Sequence, residues 1–389
     1  MKRLLVVDPI CHSRAPTMRS WLGAANEILP KHFEEVEIWS MENELELPSV
    51  KFKKFRKLTR FWPVQCAFFR FSAARAYRKL SPEYRAETMI QCSGEHLPAA
   101  DIRYIHFWNL EFIRIAKSKP KEMALSIKHR VFQFLAARIE KTCVKPGNTK
   151  EWWCVSEGIA EPIKRSTDES AIFQILPNSY DPNRFNLETR AKHRNSMREH
   201  YGFTPEESVF VFCSFGHFTR KGLPQAVETI ARLREKKIGA RLLVLGGTES
   251  ALEEFKTSLR NASVSIEGTV FAGLVAEPEK HLSAADALFF PSHFEAFSLV
   301  EIEAAALGLR LYLTKHPGSE MIVRDGINGT ILPWEVDGMV RVLESEIKSG
   351  KTKQEHAEMG RALSPTGFCE KLDTLYREAI KRKLEPKSD

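Results

Sequence analysis

The segment FFPSHFEAFSLVEIEAAALG, residues 289–308, points to the fold class. Residues 286–290 form an apolar run that predicts a short buried strand, ending at Pro291 because proline cannot donate to a sheet ladder. A helix is predicted over 299–307, and Gly308 is its expected C-terminal stop. A buried strand followed directly by a helix is the repeating unit of a parallel sheet wrapped by helices.

The predicted helix carries a carboxylate where an apolar side chain is expected. Ser298 and Glu301 have the spacing of a capping box, which gives Glu301 a structural role. Glu303 falls on the apolar stripe of the helix, and an ionised carboxylate in an apolar setting costs several kcal/mol unless it is paired. Ligand hydroxyls could satisfy Glu303; pairing with an arginine is the alternative.

Glu295 precedes the same helix, at the predicted strand end. The free amides of residues 296–299 and the positive end of the helix favour an anion there. An anion cradle flanked by two carboxylates is typical of a nucleotide-sugar site, with diphosphate on the amides and hydroxyls on the acids. A partly exposed Glu295 without a ligand is the alternative.

Composition indicates a folded protein with a moderate basic excess. The 389 residues are 43% hydrophobic and 28% charged, with a net charge of +8 that suits anionic substrates, lipid or nucleic acid. Seven scattered cysteines without a C-x-x-C pair indicate a reducing compartment. The N-terminal apolar run is too short for a signal peptide, and no segment approaches the roughly 20 apolar residues of a membrane span.

Apolar, β-branched runs alternate with helical patterns through most of the chain, which predicts α/β architecture with parallel sheets. Strands are predicted near 3–8, 35–40, 88–92, 101–106, 151–155, 171–176, 208–214, 240–246, 268–272, 286–290, 309–313 and 329–332. Helices are predicted near 124–143, 222–236, 250–260, 276–284, 299–307, 318–324, 334–347 and 366–383. The turn-forming segment LPNSYDPNRFN, 176–186, is the predicted inter-domain linker.

Several segments together resemble the retaining GT-B glycosyltransferases of family 4. Asp286, Pro291-Ser292, Glu295, Glu303-Ala304 and Gly308 follow the signature of that family, and Gly318, Glu320, Asp325-Gly326 and Gly329 follow in its order. The segments EWWCVSEGIAEPIKR, FQILPNSYDPNRF, CSFGHFTRKGLPQAVETI and ARLLVLGG resemble its earlier landmarks. The resemblance covers about residues 100 to 332.

The resemblance implies a GT-B fold of two Rossmann-like doubly wound domains facing across a cleft. The acceptor-binding domain is expected over 1–180 and the donor-binding domain over 181–365. Residues 366–389 would form a C-terminal helix and tail that cross back to the first domain.

The resemblance also implies roles for the residues of the donor site. Glu303 would hold the ribose hydroxyls of the donor, Glu295 would face the transferred sugar, and the amides of Ala296, Phe297 and Ser298 would touch the phosphates. Gly216 would contribute donor contacts, and Arg220 and Lys221 would neutralise the leaving diphosphate. The donor is expected to be UDP- or GDP-linked and no metal is expected, since no Asp or His cluster has ligand spacing.

In the first domain the resemblance places His106 beside the reacting sugar; a core or surface histidine is the alternative. The loop after the first strand departs from the family, which has a glycine pair there. This chain has DPICHSRAPTMRSW, with no glycine before Gly23. Arg14 and Arg19 could bind acceptor or phosphate instead.

The segment 51–85 holds eleven Lys/Arg, one acidic residue and nine aromatic residues. Cations with interfacial aromatic side chains favour contact with an anionic membrane surface. A solvated basic face and nucleic-acid binding are the alternatives. We expect a cytoplasmic protein, peripheral on the inner face of the plasma membrane, with no nucleic-acid partner; oligomeric state is left open.

These observations favour transfer of a hexose, with retention, from a nucleotide-diphosphate sugar to a glycan or lipid-linked acceptor of cell-envelope polysaccharide or lipopolysaccharide type. The alternatives are a nucleotide-sugar epimerase of GT-B architecture and a non-catalytic basic protein that binds lipid or nucleic acid. A dehydrogenase and a P-loop kinase are disfavoured, because neither glycine motif is present.

Overall fold

The computed structural model describes residues 1–12, 15–46, 49–59, 61–123, 127–356 and 363–385. The chain divides into two compact units. The first consists of residues 1–118, 125–179 and the C-terminal segment from 361; the second consists of 119–124 and 180–360.

The elements are numbered in chain order. The strands are β1 (Arg3–Val7), β2 (Ile10–Cys11), β3 (Glu35–Ser40), β4 (Glu42–Asn43), β5 (Val50–Lys54), β6 (Thr88–Ser93), β7 (Ala100–Ile105), β8 (Thr149–Cys154), β9 (Ile172–Ile175), β10 (Ser208–Cys213), β11 (Ala240–Leu245), β12 (Thr269–Gly273), β13 (Ala287–Phe290), β14 (Arg310–Thr314) and β15 (Gly329–Leu332). The helices are α1 (Pro16–His32), α2 (Trp62–Arg78), α3 (Pro82–Ala86), α4 (Asn109–Ser118), α5 (Ile127–Cys143), α6 (Glu157–Lys164), α7 (Leu187–His200), α8 (Leu223–Glu235), α9 (Glu249–Asn261), α10 (Pro278–Leu282), α11 (Leu299–Ala306), α12 (Ser319–Ile322), α13 (Val336–Lys348) and α14 (Pro365–Leu384).

The first unit is built on a sheet in the order β5-β3-β1-β6-β7-β8-β9, in which every described pairing is parallel. Leu4 to Val7 of β1 are fully buried, as expected for a parallel strand covered on both faces. The six strands predicted in this half are confirmed to within about two residues. The edge strand β5 was not predicted, because its exposed lysines, which protect a sheet edge from pairing, mask its strand pattern.

The second unit is built on a parallel sheet in the order β12-β11-β10-β13-β14-β15, whose six strands are confirmed. Asp286, which begins the β13 run, is buried and accepts hydrogen bonds from the backbone N–H of Val209 at 2.7 Å and from Arg198 at 3.3 Å. Asp286 therefore joins β13 to β10 and to α7. Helix α7 was not predicted, because its sequence is almost wholly polar and has no apolar period.

The C-terminal helix α14 packs in the first unit, as the fold prediction requires. The hydroxyl of Tyr376, fully buried, accepts from Trp21 Nε1 at 2.9 Å and donates to Gln91 Oε1 at 2.7 Å. Nearer the C-terminus, Arg382 forms a bidentate ion pair with Glu151, in which two guanidinium nitrogens lie 2.8 and 2.9 Å from the two carboxylate oxygens. Helix α14 thus covers the sheet of the first unit on the side where its strands begin.

All seven cysteines are free thiols, and five of them are buried. No helix within the described ranges has both the length and the apolar content needed to cross a bilayer.

Replacing Tyr376 with Phe should destabilise the first unit by about 1–3 kcal/mol, because Trp21 and Gln91 would each lose a buried hydrogen-bond partner. Urea unfolding followed by tryptophan fluorescence measures this, since six of the seven tryptophans lie in the first unit. Tyr77→Phe is the control, because the Tyr77 hydroxyl has no partner among the described residues. Equal midpoints for the two variants would contradict the proposed role of α14.

Candidate active site

The candidate site lies in the second unit, where β13 ends and the loop 291–298 begins. Gly222 has a φ of +79°, and a Cβ atom on it would lie 2.0 Å from the carbonyl oxygen of Pro291, so only glycine fits. The backbone N–H of His293 donates to the carbonyl of Arg220 at 2.9 Å. These two close approaches press the loop after β10 against the loop after β13.

The same approach brings the two predicted cations onto the predicted carboxylate. Lys221 Nζ lies 3.2 Å and an Arg220 guanidinium nitrogen 3.4 Å from one carboxylate oxygen of Glu295. Ser292 Oγ donates to that oxygen at 3.3 Å. Burial alone would raise the pKa of Glu295, but Lys221 and then Arg220 outweigh it and hold the pKa below its usual value. Glu295 is therefore kept ionised inside a largely buried site.

Glu303 lies on α11 with 8% of its surface exposed, so the prediction of a buried carboxylate at this position is confirmed. Its neighbour Arg184 has a raised pKa, first because it is hydrogen-bonded to Glu279 and in smaller part because of Glu303. Arg184 forms a direct ion pair with Glu279, at 2.6 Å. The positively charged Arg184 thus lies near Glu303, but its direct ion pair is with Glu279.

The segment whose amides were predicted to touch phosphate leads directly into α11. Ala296, Phe297 and Ser298 precede the helix, and Ser298 is its N-cap residue. Gly318 packs under them: a Cβ atom there would lie 2.7 Å from the Ala296 carbonyl oxygen, and the Gly318 N–H donates to the carbonyl of Glu295 at 3.3 Å. Backbone packing therefore sets the position of this turn.

Gly216, the remaining predicted donor contact, lies in the loop after β10. The hydroxyl of Ser214 donates to its carbonyl at 2.7 Å. A Cβ atom on Gly216 would meet nothing within 4 Å, so this side of the loop is open. The open face leaves room for a ligand to approach the backbone.

The predicted capping box at Ser298 and Glu301 is wrong. The Ser298 side chain makes no capping hydrogen bond, and Glu301 is fully buried, 3.0 Å from His316 Nε2. The pair is an ion pair without good hydrogen-bond geometry, and neither side chain has a further hydrogen-bond partner among the described residues.

The Glu301–His316 pair is electrostatically linked to Glu295. Burial raises the pKa of Glu301, which His316 only partly offsets. Burial alone would lower the pKa of His316, but Glu301 first and then Glu295 raise it above its ordinary value. A buried histidine whose pKa is raised by two carboxylates therefore lies behind Glu295 of the candidate site.

Sequence reasoning missed this pair because it assumed one apolar stripe on α11. The helix is apolar almost all round, and residues 301–305 are all buried whichever way they face. Such a helix is enclosed on every side, and that signal was available in the sequence LVEIEAAA. It implied that Glu301, as much as Glu303, needed a buried partner.

His106 lies in the first unit, directly after β7. Neither of its ring nitrogens, both buried, has a hydrogen-bond partner among the described residues. Burial lowers the pKa of His106 to about 3, so the imidazole is neutral. Of the two arginines suggested for the N-terminal loop, Arg19 lies on α1 and Arg14 lies outside the described residues.

Residues 207–346, which contain this site, match the sequence model of the family described as Glycosyl transferases group 1. A solved structure of WaaG, a glycosyltransferase involved in lipopolysaccharide biosynthesis, aligns over 98% of both chains with a TM-score of 0.69 and 17% identity. Residues 207–346 thus match the group 1 glycosyltransferases, and the chain as a whole has the GT-B fold.

Curated relatives extend the similarity beyond the matched segment. The chain is 25% identical to the lipopolysaccharide glucosyltransferase WaaG of Escherichia coli K12, over 69% of each chain. It is 28% identical to the lipopolysaccharide core biosynthesis glycosyltransferase LpsE of Rhizobium meliloti, over 67% of this chain and 78% of the relative. The Anabaena protein Alr3699/HepE, solved with UDP-glucose, aligns over 98% of this chain and 100% of its own, with a TM-score of 0.61 and 12% identity.

Replacing Glu301 with Leu should destabilise the second unit by about 3–5 kcal/mol, because His316 would be left buried without its counterion. Replacing both residues with Leu should recover most of that loss, since no charge would then be buried. Calorimetric unfolding of the wild type, the two single variants and the double variant measures the coupling. Additive losses would contradict the pairing.

The pair should also make stability depend on pH. Both pKa values are raised in the folded state, so the folded protein holds protons that the unfolded chain would release. The stabilising contribution is therefore complete at low pH and is lost as pH rises through these raised values. The stability difference between the wild type and the double Leu variant should fall as pH rises above 4.5, the ordinary pKa of glutamate, and fall further above 6.5, the ordinary pKa of histidine.

Proposed function

We propose that this glycosyltransferase moves a hexose from a nucleotide-diphosphate sugar to an acceptor of the lipopolysaccharide or related cell-envelope polysaccharide type, with retention at the anomeric carbon. The observation that carries the proposal is the ionised Glu295 held between Arg220 and Lys221. The relatives named for lipopolysaccharide synthesis support the acceptor class. Retention rests on the family resemblance of the segment 286–332.

The two cations are suited to the departure of a diphosphate. In the proposed reaction a hydroxyl oxygen of the acceptor forms a bond to the anomeric carbon, and the bond between that carbon and the diphosphate oxygen breaks. Negative charge grows on the diphosphate oxygen, and the nucleoside diphosphate leaves and takes up the proton of the acceptor hydroxyl. Arg220 and Lys221, already desolvated beside Glu295, would stabilise this charge without rearranging. They supply positive charge that a metal ion supplies in other transferases, so the proposed reaction uses no metal.

Glu303 would bind the nucleotide end of the donor. A buried carboxylate can accept two hydrogen bonds from the vicinal hydroxyls of ribose, and charge-assisted bonds of this kind are among the stronger ones. The UDP-glucose bound to HepE favours a UDP-linked donor over a GDP-linked one. The turn at 296–298 would receive the phosphates, with Gly216 opposite.

Replacing Glu303 with Gln should weaken donor binding about tenfold to a hundredfold, because one charged acceptor of roughly 1.5–3 kcal/mol is lost while the side-chain volume is kept. Calorimetric titration with UDP and GDP measures the loss of affinity. In the wild type, NMR of the product's anomeric signal tests whether the configuration at the anomeric carbon is retained. Glu254→Gln, an exposed position on α9, is the control. Unchanged UDP affinity in the Glu303 variant would contradict this role.

Replacing Lys221 with Gln should lower kcat by about a hundredfold to a thousandfold, because the leaving diphosphate would lose one fixed cation. The dissociation constant of the donor should change far less than kcat, since the effect is largest in the transition state. Single-turnover kinetics at saturating donor separates the two quantities. An equal loss in binding and kcat would instead indicate a role in holding the donor.

Peripheral membrane association is part of the proposal. Phe71 on α2 is 65% exposed and shares a shallow cavity with Lys53, Arg75 and Lys79, and no acidic residue lines that cavity among the described residues. Apolar side chains also stand on the exposed side of α5 at helical spacing; they are Ile127, Val131, Phe134 and Leu135. Cations around exposed apolar side chains are what an anionic membrane surface attracts. A cytoplasmic enzyme bound to the inner face of the plasma membrane would meet a lipid-linked acceptor there.

Reversing the charges of Arg75 and Lys79 to Glu should weaken binding to vesicles containing anionic phospholipid by at least roughly 30-fold, since each basic residue near such a surface contributes about 1 kcal/mol. Sedimentation with vesicles at low and high salt measures the effect. The matched control reverses Lys237 and Arg341, two exposed basic residues of the second unit. Equal losses in both double variants would indicate only a net-charge effect.

A further inference from the structure

Trp334, in the loop between β15 and α13, lies between two nitrogen-bearing side chains of the second unit. Its indole stacks on the imidazole of His293, with ring centroids 4.8 Å apart and planes 10° from parallel. The ammonium nitrogen of Lys119 lies 2.7 Å from the centroid of a Trp334 ring. Rings as close as these leave no room for an ammonium group between them, so Lys119 and His293 occupy opposite faces of the indole. Of the aromatic side chains, tryptophan attracts a cation most strongly.

Lys119 reaches this ring from a separate piece of chain. Residues 119–124 belong to the second unit, whereas α4 before them and α5 after them belong to the first. Burial lowers the pKa of Lys119 to about 8, and Glu122 and Glu335 offset only part of that effect. The ammonium group is therefore charged at neutral pH and loses its charge under mildly alkaline conditions.

The imidazole on the other face of Trp334 belongs to the loop that holds Arg220. The backbone N–H of His293 donates to the carbonyl of Arg220 at 2.9 Å, and a guanidinium nitrogen of Arg220 donates to the carbonyl of Phe294 at 2.5 Å. The same guanidinium nitrogen lies 3.4 Å from a carboxylate oxygen of Glu295. The main chain of residues 293–294 therefore determines where the positive charge of Arg220 lies.

Hydrogen bonds alone hold the His293 ring weakly. The amide nitrogen of Gln225 lies 3.4 Å from its Nε2 atom, which is long for a hydrogen bond, and its buried Nδ1 atom has no partner among the described residues. Burial, followed by the charge of Lys119, lowers the pKa of His293 to about 4, so the ring is neutral. The flat contact with Trp334 is then needed to keep this neutral ring in one orientation.

We propose that Trp334, held by the ammonium group of Lys119, is a positioning residue for the Arg220 cation. Trp334 fixes the imidazole of His293, and the main chain of residues 293–294 in turn directs the guanidinium group towards Glu295. The inference rests on the proposed function only in giving the Arg220 cation a role in transfer. The stack itself requires neither donor nor acceptor.

Replacing Trp334 with Leu should lower kcat about tenfold, because a small displacement of a fixed cation is costly in the transition state. The dissociation constant of UDP should change by less than about threefold. Trp334→Phe keeps an aromatic face and should recover most of the lost kcat. The assay is release of UDP from UDP-glucose with water as the acceptor. Equal losses of kcat in the Leu and Phe variants would overturn the proposal.

The Arg220 position can also be followed without turnover. The side-chain NMR signal of Arg220, assigned by its absence from Arg220→Lys, should move in Trp334→Leu and return towards its wild-type position in Trp334→Phe. An Arg220 signal that is the same in the wild type and in Trp334→Leu would overturn the positioning role.

Lys119 gives the stack a dependence on pH. Its neutral amine no longer attracts the ring face, so kcat of the wild type should fall, relative to that of Lys119→Arg, as pH rises through about 8. The other charged groups beside the stack are Glu122, Glu335 and Arg220, and His293 is neutral throughout this range. Parallel pH profiles for the wild type and Lys119→Arg would overturn the part assigned to Lys119.

A matched pair of lysine variants separates the ring contact from net charge. At pH 7, Lys119→Met should lower kcat about twofold to fivefold, the size of effect expected for one cation–π contact. Lys121→Met removes an exposed lysine of the same segment that has no ring contact among the described residues, and it should leave kcat unchanged. Equal effects of the two substitutions would overturn the proposal.

Fluorine NMR of the full chain labelled with fluorotryptophan tests the stack with no nucleotide present. Trp334 is the one tryptophan of the second unit within the described residues, and its signal is assigned by its absence from Trp334→Phe. That signal should shift as pH passes through about 8, and Lys119→Met should abolish this shift. A signal that responds neither to pH nor to Lys119→Met would overturn the stack.

The two proposals fail separately. If transfer depends on Glu303 and Lys221 but is indifferent to the variants of Trp334 and Lys119, the positioning inference fails and the proposed function stands. If the tryptophan and arginine signals behave as described and no nucleotide sugar is turned over, the proposed function fails while the stack remains.

Discussion

The candidate site depends on one close backbone contact, that between Gly222 and Pro291. No side chain can occupy position 222 without striking the Pro291 carbonyl, so the loop carrying Arg220 and Lys221 lies directly against the loop carrying Glu295. Main-chain packing therefore brings Arg220 and Lys221 close to Glu295, whatever conformations their flexible side chains adopt. A site preorganised in this way keeps its charges fixed while charge moves on a substrate.

Burying these charged side chains requires oppositely charged groups next to them in the interior of the second unit. Glu295 is stabilised by two cations, and behind it lies His316, whose pKa is raised and which pairs with Glu301. Positive and negative groups thus alternate from the surface of the site inwards. The order is Arg220 and Lys221, then Glu295, then His316, then Glu301 on α11. The alternation explains why a helix as apolar as α11 tolerates the carboxylate of Glu301, since an unpaired one would cost several kcal/mol.

The strands and most helices could be predicted from the sequence because parallel sheets leave long apolar runs between turn formers. The short strands β2 and β4, the edge strand β5, helices α1 to α4 and helix α7 were not predicted. Strand β5 is hidden by its lysines, and α7 by a composition that is almost wholly polar. The resemblance named Arg220, Lys221 and Glu295 as site residues but did not predict that the two cations pair with the carboxylate. The spacing of Ser298 and Glu301 led to a wrong prediction. Local spacing describes contacts within one helix, and the partner of Glu301 comes from 15 residues further along the chain, at His316.

The two units differ in the charges of their candidate binding residues. In the second unit Arg220 and Lys221 are cations that would face a diphosphate, and the carboxylates are placed where hydroxyls are expected. In the first unit a cavity at the carboxyl ends of β1, β6 and β7 is lined by the carboxylates of Asp8, Glu42 and Glu95 and by the neutral imidazole of His106. The basic side chains of Lys53, Arg75 and Lys79 line a separate cavity of the same unit. Positive and negative side chains therefore occupy different parts of the first unit, and the charge of a ligand would decide which of them attracts it.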